Sequence, residues 1–236
     1  AGASGVADTE NIIQVVSPAR VPIRPNYPRK GMIIGIGFLA SLGLGIFLIL
    51  LYERLDNGFR GAEQIEFMTG MPVLGTVPRL AGAEKDSGAP AEAILAAPES
   101  SYAESIRSLR TGLTVSNVDK PPKIVLIASA LPGEGKTSLS VSLARQSAIS
   151  SVKGQVILID CDLRQPTVAA VMGLRAEIGL TELFAGEASL HDVLKIDPKS
   201  GLRVLPGTRG TPNPPELLNS RHMYDLLAQL SDSYDL

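Results

Sequence analysis

The sequence predicts an α/β fold, a doubly wound parallel sheet, preceded by one transmembrane helix. Residues 32–51 form an apolar run without a charged side chain. Further along the chain, strand-like apolar runs at 124–128, 156–159 and 202–205 alternate with helical patterns. Such alternation is typical of parallel sheets. Because these runs lack period-two alternation, we expect helices to cover both faces of the sheet.

Composition limits the classes of function. The chain of 236 residues is 44% hydrophobic and 19% charged, which is enough apolar material for one folded domain and an anchor. The net charge of -2 creates no broad basic field, so nucleic acid is not an expected partner. The single cysteine, Cys161, has no internal disulfide partner and suits a reducing, cytosolic compartment.

The sequence divides into five segments. Residues 1–31 contain a strand-like run at 12–16 and a proline-rich connector, which we expect to be extended. Residues 32–51 are predicted to span the membrane, because a helix rises ~1.5 Å per residue and the hydrocarbon layer is ~30 Å thick. Three segments follow: a juxtamembrane segment (52–80), a flexible linker rich in Ala, Gly and Pro (81–100), and a nucleotide-binding domain (101–236). The chain begins with Ala1 and ends in what resembles the start of a strand, so we interpret it as a fragment cut at both ends.

A glycine-rich loop carries the strongest functional signal. It reads Ser-Ala-Leu-Pro-Gly-Glu-Gly-Lys-Thr-Ser over residues 129–138 and lies between an apolar run and a helical pattern, as a P-loop requires. Its backbone N–H groups are expected to surround phosphate oxygens, with Lys136 on the β/γ-phosphates and the Thr137 hydroxyl on Mg²⁺. Ala130 replaces the usual first glycine of the motif. The predicted ligands are ATP and Mg²⁺, and the predicted binding residues are Pro132, Gly133, Glu134, Gly135, Lys136, Thr137 and Ser138.

A second motif is acidic. Asp160 and Asp162 end the apolar run at 156–159, and strand alternation places them on one face and Cys161 on the other. Carboxylates at this end of a parallel strand can hold Mg²⁺ or accept a hydroxyl proton. The alternative interpretation is that these aspartates only cap a loop.

A helical pattern with an apolar stripe includes Ile106 and Leu109. Three charged residues lie off that stripe: Glu104, Arg107 and Arg110. Spacing alone favours a solvated helix face for them.

Together these motifs resemble the bacterial tyrosine autokinases that are fused to polysaccharide co-polymerases, the chain-length determinant or exopolysaccharide transport proteins. The resemblance covers nearly the whole chain, and it implies that residues 1–31 are the end of an extracytoplasmic co-polymerase domain and residues 101–236 a P-loop tyrosine kinase domain truncated at its C-terminal end. It rests on the proline-rich segment 18–28, the apolar helix, Pro-Val-Leu-Gly at 72–75, the E-x2-R-x2-R motif, PGEGKT at 132–137, the two aspartates, and the segments 202–207 and 212–218.

The resemblance implies a P-loop NTPase fold, truncated at its C-terminal end, and an ATP-dependent protein-tyrosine autokinase that regulates polymerisation and export of exopolysaccharide or capsule. Lys136, Asp160 and Asp162 would be catalytic. Thr137 and Asp162 would hold the metal, and Asp160 would activate the tyrosine hydroxyl, although the two aspartates could exchange roles. A third metal-associated aspartate and a tyrosine-rich tail lie beyond this sequence, so we expect the fragment by itself to be inactive.

The resemblance also implies partners and a location. Glu104, Arg107 and Arg110 would dock near the site of a neighbouring subunit in a homo-oligomer, which would act with the polysaccharide polymerase and export machinery. Basic residues are more numerous before the apolar helix than after it, which favours a cytoplasmic N-terminal side. A nucleotide site requires cytosolic ATP, so we predict a bacterial inner-membrane protein with an extracytoplasmic N-terminal side and a cytoplasmic kinase domain.

Two other functions fit the same motifs. One is a non-enzymatic co-polymerase assembly protein whose oligomerisation is set by nucleotide. The other is a membrane-bound ATPase similar to the partition and division-site ATPases. Leu131 occupies the position of the extra lysine in that group, which favours the kinase interpretation.

Overall fold

A computed structural model describes residues 27–55, 58, 61–80, 88–116, 121–151, 155–210 and 213–236. The chain divides into two compact units, Ala1–Gly58 and Phe59–Leu236. The strand-like run at 12–16, most of the proline-rich connector, and residues 81–87 of the predicted linker lie outside the described residues.

The first unit contains one long helix, α1, Lys30–Leu55. None of its residues is buried, and its most apolar stretch has a mean hydropathy of 2.6. The helix extends past the predicted 32–51 at both ends because the flanking Lys30, Glu53 and Arg54 are good helix formers. By length and composition, α1 can cross a membrane.

The second unit contains nine helices and three strands among its described residues. The helices are α2 (Ala62–Thr69), α3 (Ala89–Ala96), α4 (Ser101–Val115), α5 (Lys136–Ser150), α6 (Val168–Val171), α7 (Leu180–Ala185), α8 (Leu190–Val193), α9 (Pro214–Leu218) and α10 (Arg221–Ser233). The strands are β1 (Ile157–Ile159), β2 (Lys195–Ile196) and β3 (Arg203–Leu205). Ser100 and Ser220 begin α4 and α10 by accepting hydrogen bonds from backbone N–H groups of the first turn.

The sheet has the order β1-β3-β2. β1 and β3 are parallel, as predicted from the runs at 156–159 and 202–205, and the short β2 joins the other edge of β3 in the antiparallel direction. On the free side of β1, the N–H of Asp235 donates to the carbonyl of Gln155 (2.8 Å), and the N–H of Ile157 donates to the carbonyl of Leu236 (3.0 Å). The end of the described chain therefore begins to pair with β1.

The prediction of a strand at residues 124–128 was wrong. These residues are not assigned to a strand, and the ladders of the described chain do not include them. They line a groove of about 920 Å³ that β1 also lines, and Leu126 is 84% exposed. An apolar run becomes a strand only when another strand lies within hydrogen-bonding distance, and the backbone hydrogen bonds of the described sheet do not reach these residues.

Side chains of the parallel pair pack on both faces of the sheet. Leu158 and Val204 contribute to a core with Val141 and Ala144 of α5. Neighbouring strand residues, including Ile159 and Leu205, contribute to a second core with α7, α8 and α10. Because consecutive side chains enter different cores, helices cover both faces, which confirms the doubly wound arrangement.

The second half of the predicted flexible linker is folded. Within residues 88–100 the chain forms α3, whose Ala91 and Ile94 are 0% and 2% exposed. These residues are three apart and so lie on the same side of a helix, which packs against α5. The helix is only eight residues long, too short for its periodicity to stand out in an Ala- and Pro-rich sequence.

Candidate nucleotide-binding site

The glycine-rich loop has the backbone that phosphate binding requires. Gly133 and Gly135 have φ values of +83° and +90°, a region that side chains disfavour, and α5 begins immediately afterwards at Lys136. Nothing lies within 4 Å of the position that a Cβ on either glycine would take. The start of α5 therefore presents an open, concave backbone to which an anion can bind.

Contacts within the loop hold its shape. The Glu134 carboxylate accepts a hydrogen bond from the N–H of Leu131 (3.0 Å), and the Ser129 hydroxyl donates to the carbonyl of Leu131 (3.1 Å). Pro132 and Glu134 are exposed, and Ser138 is half-buried in the first turn of α5. The contact with Leu131 gives Glu134 a role in shaping the loop.

Lys136 and Asp162 come together, although they are far apart in sequence. The Lys136 Nζ lies 2.9 Å from Asp162 Oδ2, and both side chains are about one-third exposed, at 38% and 29%. The hydrogen bond from Lys136 is the main cause that lowers the pKa of Asp162. The other carboxylate oxygen accepts from the N–H of Gln165 (3.1 Å), which orients Asp162 towards the loop.

Asp160 is in a different environment. Its side chain is 5% exposed, and burial raises its pKa although backbone N–H groups donate to it. Oδ1 accepts from the N–H of Asp162 (3.1 Å), and Oδ2 accepts from the N–H groups of Thr167 and Val168 (both 3.0 Å). Asp160 therefore ties the end of β1 to the start of α6.

The structure adds Thr167, which the sequence analysis did not single out. Its Oγ1 lies 3.1 Å from the Oγ1 of Thr137, the hydroxyl that was predicted to bind Mg²⁺. Nothing in the spacing of the sequence marks Thr167, because its contact with Thr137 depends on the loop that Asp160 folds.

These residues fit a nucleotide with its metal ion. The loop offers backbone donors, Lys136 offers a positive charge, and the partly exposed carboxylate of Asp162 lies beside it. Within the described residues, no group of three or more His, Cys, Asp or Glu side chains forms a metal site. A small set of protein oxygens suits Mg²⁺, which keeps several waters and takes other ligands from substrate phosphates.

Cys161 lies on the other side of the strand end, as alternation predicted. Its side chain is half-buried and packs against the core formed with α7, α8 and α10. Burial, and to a lesser extent the Asp160 charge, raise the pKa of the Cys161 thiol to about 11. The thiol is therefore protonated at neutral pH and acts as a packing group.

The predicted oligomerisation residues lie on α4, which packs against α5. Arg107 Nη2 contacts Glu104 Oε2 at 2.6 Å, and these side chains are 35% and 67% exposed. Arg110 is half-buried. The charged face of the helix thus has a defined internal ion pair and remains accessible.

The chain has a glycine-rich loop at the start of a helix, and the lysine of that loop contacts a strand-end carboxylate on a doubly wound sheet. This combination defines a P-loop nucleotide-binding protein. No family model matches the chain. The structure of the kinase domain of the Escherichia coli tyrosine kinase ETK is 31% identical, with a TM-score of 0.65, over 76% of this chain and 71% of that chain. The BceF tyrosine kinase domain is 31% identical, with a TM-score of 0.65, over 76% of this chain and 75% of that chain. The chain belongs to the bacterial tyrosine-protein kinases.

The similarity extends into the first unit. The tyrosine-protein kinase ptk of Acinetobacter johnsonii is 31% identical over 230 residues, which are 94% of this chain. They are 31% of that relative, so the chain spans about one-third of the relative's length.

Proposed function

We propose that this chain is part of a membrane-anchored, ATP-dependent protein-tyrosine autokinase that regulates polymerisation and export of exopolysaccharide or capsule. The observation that carries the proposal is the 2.9 Å contact between Lys136 of the P-loop and Asp162 at the end of β1. This contact brings the Lys136 ammonium together with the partly exposed Asp162 carboxylate, which supports a joint role at the phosphates. The names of the relatives, which are tyrosine-protein kinases, support the reaction class.

ATP and Mg²⁺ fit this site. The N–H groups of residues 133–137 and the Lys136 ammonium would bind the phosphates, and Thr137 and Asp162 would hold Mg²⁺. ATP supplies the phosphoryl group, and Mg²⁺ neutralises the negative charge of the phosphates. Lys136 pairs with Asp162, so a bound phosphate would be a second anionic partner for the lysine.

The surroundings of the two aspartates favour Asp162, and not Asp160, as the carboxylate that contacts the reacting groups. Both carboxylate oxygens of Asp160 accept backbone hydrogen bonds and only 5% of the residue is exposed, so it has little capacity to receive a tyrosine proton. Asp162 is more exposed, at 29% of its side chain. We therefore assign the contact with metal or tyrosine to Asp162, and the ordering of the loop that carries Asp162 to Asp160.

The remaining parts of the proposal concern assembly and location. The exposed pair of Glu104 and Arg107, with Arg110, offers charged groups to a neighbouring copy, so that subunits of a homo-oligomer phosphorylate one another. The helix α1 would anchor the protein in the bacterial inner membrane, with the kinase domain on the cytoplasmic side, where ATP is found, and the N-terminal side extracytoplasmic. The polysaccharide polymerase and export machinery would be its partners.

The first experiment would use the complete gene product in detergent micelles, incubated with ATP and Mg²⁺ and probed for phosphotyrosine. We expect Lys136→Met and Asp162→Asn to lose the signal by at least about 100-fold, the order of magnitude for removal of a preorganised charged group from an active site. Lys195, a half-buried lysine of β2 whose ammonium donates to the carbonyl of Asp192, provides a matched control. Lys195→Met should keep the wild-type signal.

The two aspartate variants separate the assigned roles. Asp162→Asn should lose activity and keep its fold, whereas Asp160→Asn should also lower the melting temperature because it cannot accept all three backbone hydrogen bonds. Wild-type protein that binds ATP but forms no phosphotyrosine would contradict the kinase proposal. Nucleotide-dependent oligomerisation without phosphotyrosine would then support the assembly function.

A further inference from the structure

Thr167 contacts the P-loop from outside it. We propose that Thr167 is a positioning residue that holds the hydroxyl of Thr137 in the orientation needed to bind Mg²⁺. This inference rests on the proposed nucleotide site. Its basis is the 3.1 Å distance between the two Oγ1 atoms, which belong to residues thirty positions apart in the sequence.

The position of Thr167 is fixed by its backbone. The N–H of Thr167 donates to Asp160 Oδ2 (3.0 Å), and so does the N–H of Val168 (3.0 Å). Asp160 is itself buried at the end of β1, and Thr167 immediately precedes α6. The backbone of Thr167 is therefore held against the strand, and its hydroxyl faces α5, where Thr137 lies in the first turn.

A hydroxyl that binds a metal ion needs a partner for its proton. A threonine hydroxyl has one hydrogen and two lone pairs, and a lone pair must point to the cation. The hydrogen then points away from the cation, and metal binding strengthens it as a donor. Thr167 Oγ1 is within hydrogen-bonding distance of Thr137 Oγ1, so it can accept this hydrogen. The branched Cβ of Thr167 leaves few rotamers, which adds to the stiffness of the acceptor.

This arrangement connects the acidic motif to the metal site in two places. Lys136 contacts Asp162, and Thr137 contacts Thr167. Asp160 supports both contacts, because its carboxylate accepts from the N–H groups of Asp162 and Thr167. The loop between β1 and α6 therefore sets the orientation of two consecutive P-loop side chains.

The test measures how much Mg²⁺ strengthens ADP binding. The complete gene product in detergent micelles is titrated with ADP by calorimetry, once with Mg²⁺ and once with EDTA. Thr167→Val keeps the shape of the side chain but removes the hydrogen-bond acceptor. We expect this variant to reduce the ratio of ADP affinity in Mg²⁺ to ADP affinity in EDTA, the Mg²⁺-dependent gain, about three- to tenfold, which is the effect of one ordinary hydrogen bond. ADP affinity in EDTA should stay within about twofold of wild type. Thr167→Ser restores the hydroxyl and should recover the Mg²⁺-dependent gain.

Thr181 provides a matched control because it is also a partly buried threonine whose hydroxyl donates a hydrogen bond, here to the carbonyl of Thr208 (3.3 Å). Thr181→Val should leave the Mg²⁺-dependent gain unchanged. A Thr167→Val protein with the wild-type gain would overturn the inference. So would a loss of affinity that is equal in Mg²⁺ and EDTA and that Thr167→Ser does not rescue, because it would show a purely structural role. If wild-type protein itself shows no Mg²⁺-dependent ADP binding, the proposed function fails first.

Discussion

Arg145 of α5 is the most deeply buried charged residue of the described core, and it joins three parts of the second unit, Phe59–Leu236. Its exposed fraction is 0%. Nε lies 2.9 Å from Asp197 Oδ2, and Nη1 donates to the carbonyl of Ala91 (2.9 Å) and to Glu92 Oε1 (3.1 Å). Asp197 is 1% exposed, so this is a buried ion pair between α5 and the turn after β2, with α3 attached to the same guanidinium. We predict that Arg145→Met releases α3 from the P-loop helix.

The magnitude follows from the burial of both partners. Removing one member of a buried ion pair leaves an uncompensated charge and costs about 3–5 kcal/mol. Asp197 keeps hydrogen bonds from Ser200 Oγ (2.6 Å) and from the N–H of Lys199 (3.3 Å), which places the expected cost near 3 kcal/mol, the lower end of this range. At about 1.4 kcal/mol per factor of ten, amide exchange in α3 should become on the order of 100-fold faster.

Hydrogen exchange with mass spectrometry measures this effect in the intact gene product. Peptides that cover α3 report its opening, and those that cover α10 serve as an internal reference. A double-mutant cycle with Asp197→Asn then isolates the pair. The double variant removes both charges, so its destabilisation should fall below the sum of the single variants by at least about 1 kcal/mol.

An exposed pair in the same region supplies the control. Lys199 Nζ lies 2.6 Å from Glu92 Oε2, but the side chains are 52% and 44% exposed. Lys199→Met should change the exchange of α3 by less than about 1 kcal/mol, because solvent screens exposed ion pairs. Unchanged α3 exchange in Arg145→Met, or additive effects of Arg145→Met and Asp197→Asn, would refute the view that this ion pair holds α3 in place.

Three further predictions concern residues at the ends of the parallel strands β1 and β3. Lys136 lowers the pKa of the Asp162 carboxyl, so the ionised Asp162 stabilises the fold above its ordinary pKa of 3.8. This stabilisation is lost as pH falls through the lower pKa of the folded state. In protein without nucleotide, the difference in melting temperature between wild type and Asp162→Asn should therefore shrink below about pH 4. Gly207→Ala should lower the free energy of unfolding by about 1–3 kcal/mol in thermal or chemical denaturation, because the new Cβ would lie 2.8 Å from the Asp160 carbonyl oxygen. Gly112→Ala on α4 is the control. Its Cβ would lie 3.6 Å from the Leu74 carbonyl oxygen, an ordinary contact distance, so this variant should not be destabilised. Cys161, with its pKa raised to about 11, should react with iodoacetamide at pH 8 far more slowly in folded than in urea-unfolded protein; equal rates would contradict the burial of the thiol.

Much of the fold follows from local patterns. The run at 156–159 becomes β1 and the run at 202–205 becomes β3, because runs that are mostly β-branched residues and leucine suit a strand covered on both faces. The glycines of the loop have the positive φ values that only glycine adopts readily. The run at 124–128 has the same composition and forms no strand, because pairing depends on a neighbour that composition does not specify.

The sequence by itself determined the apolar helix, the P-loop and the strands β1 and β3, since each depends on residues that are close together in the chain. Only the tertiary structure decided which carboxylate faces the lysine. Asp160 and Asp162 share a face in an ideal strand, but the chain turns after β1, so that backbone N–H groups surround Asp160 and Asp162 alone contacts Lys136. The Thr137–Thr167 contact and the Arg145–Asp197 pair likewise join residues thirty and fifty-two positions apart. Contacts of this kind depend on packing in three dimensions, because no short-range periodicity of a strand or helix encodes them.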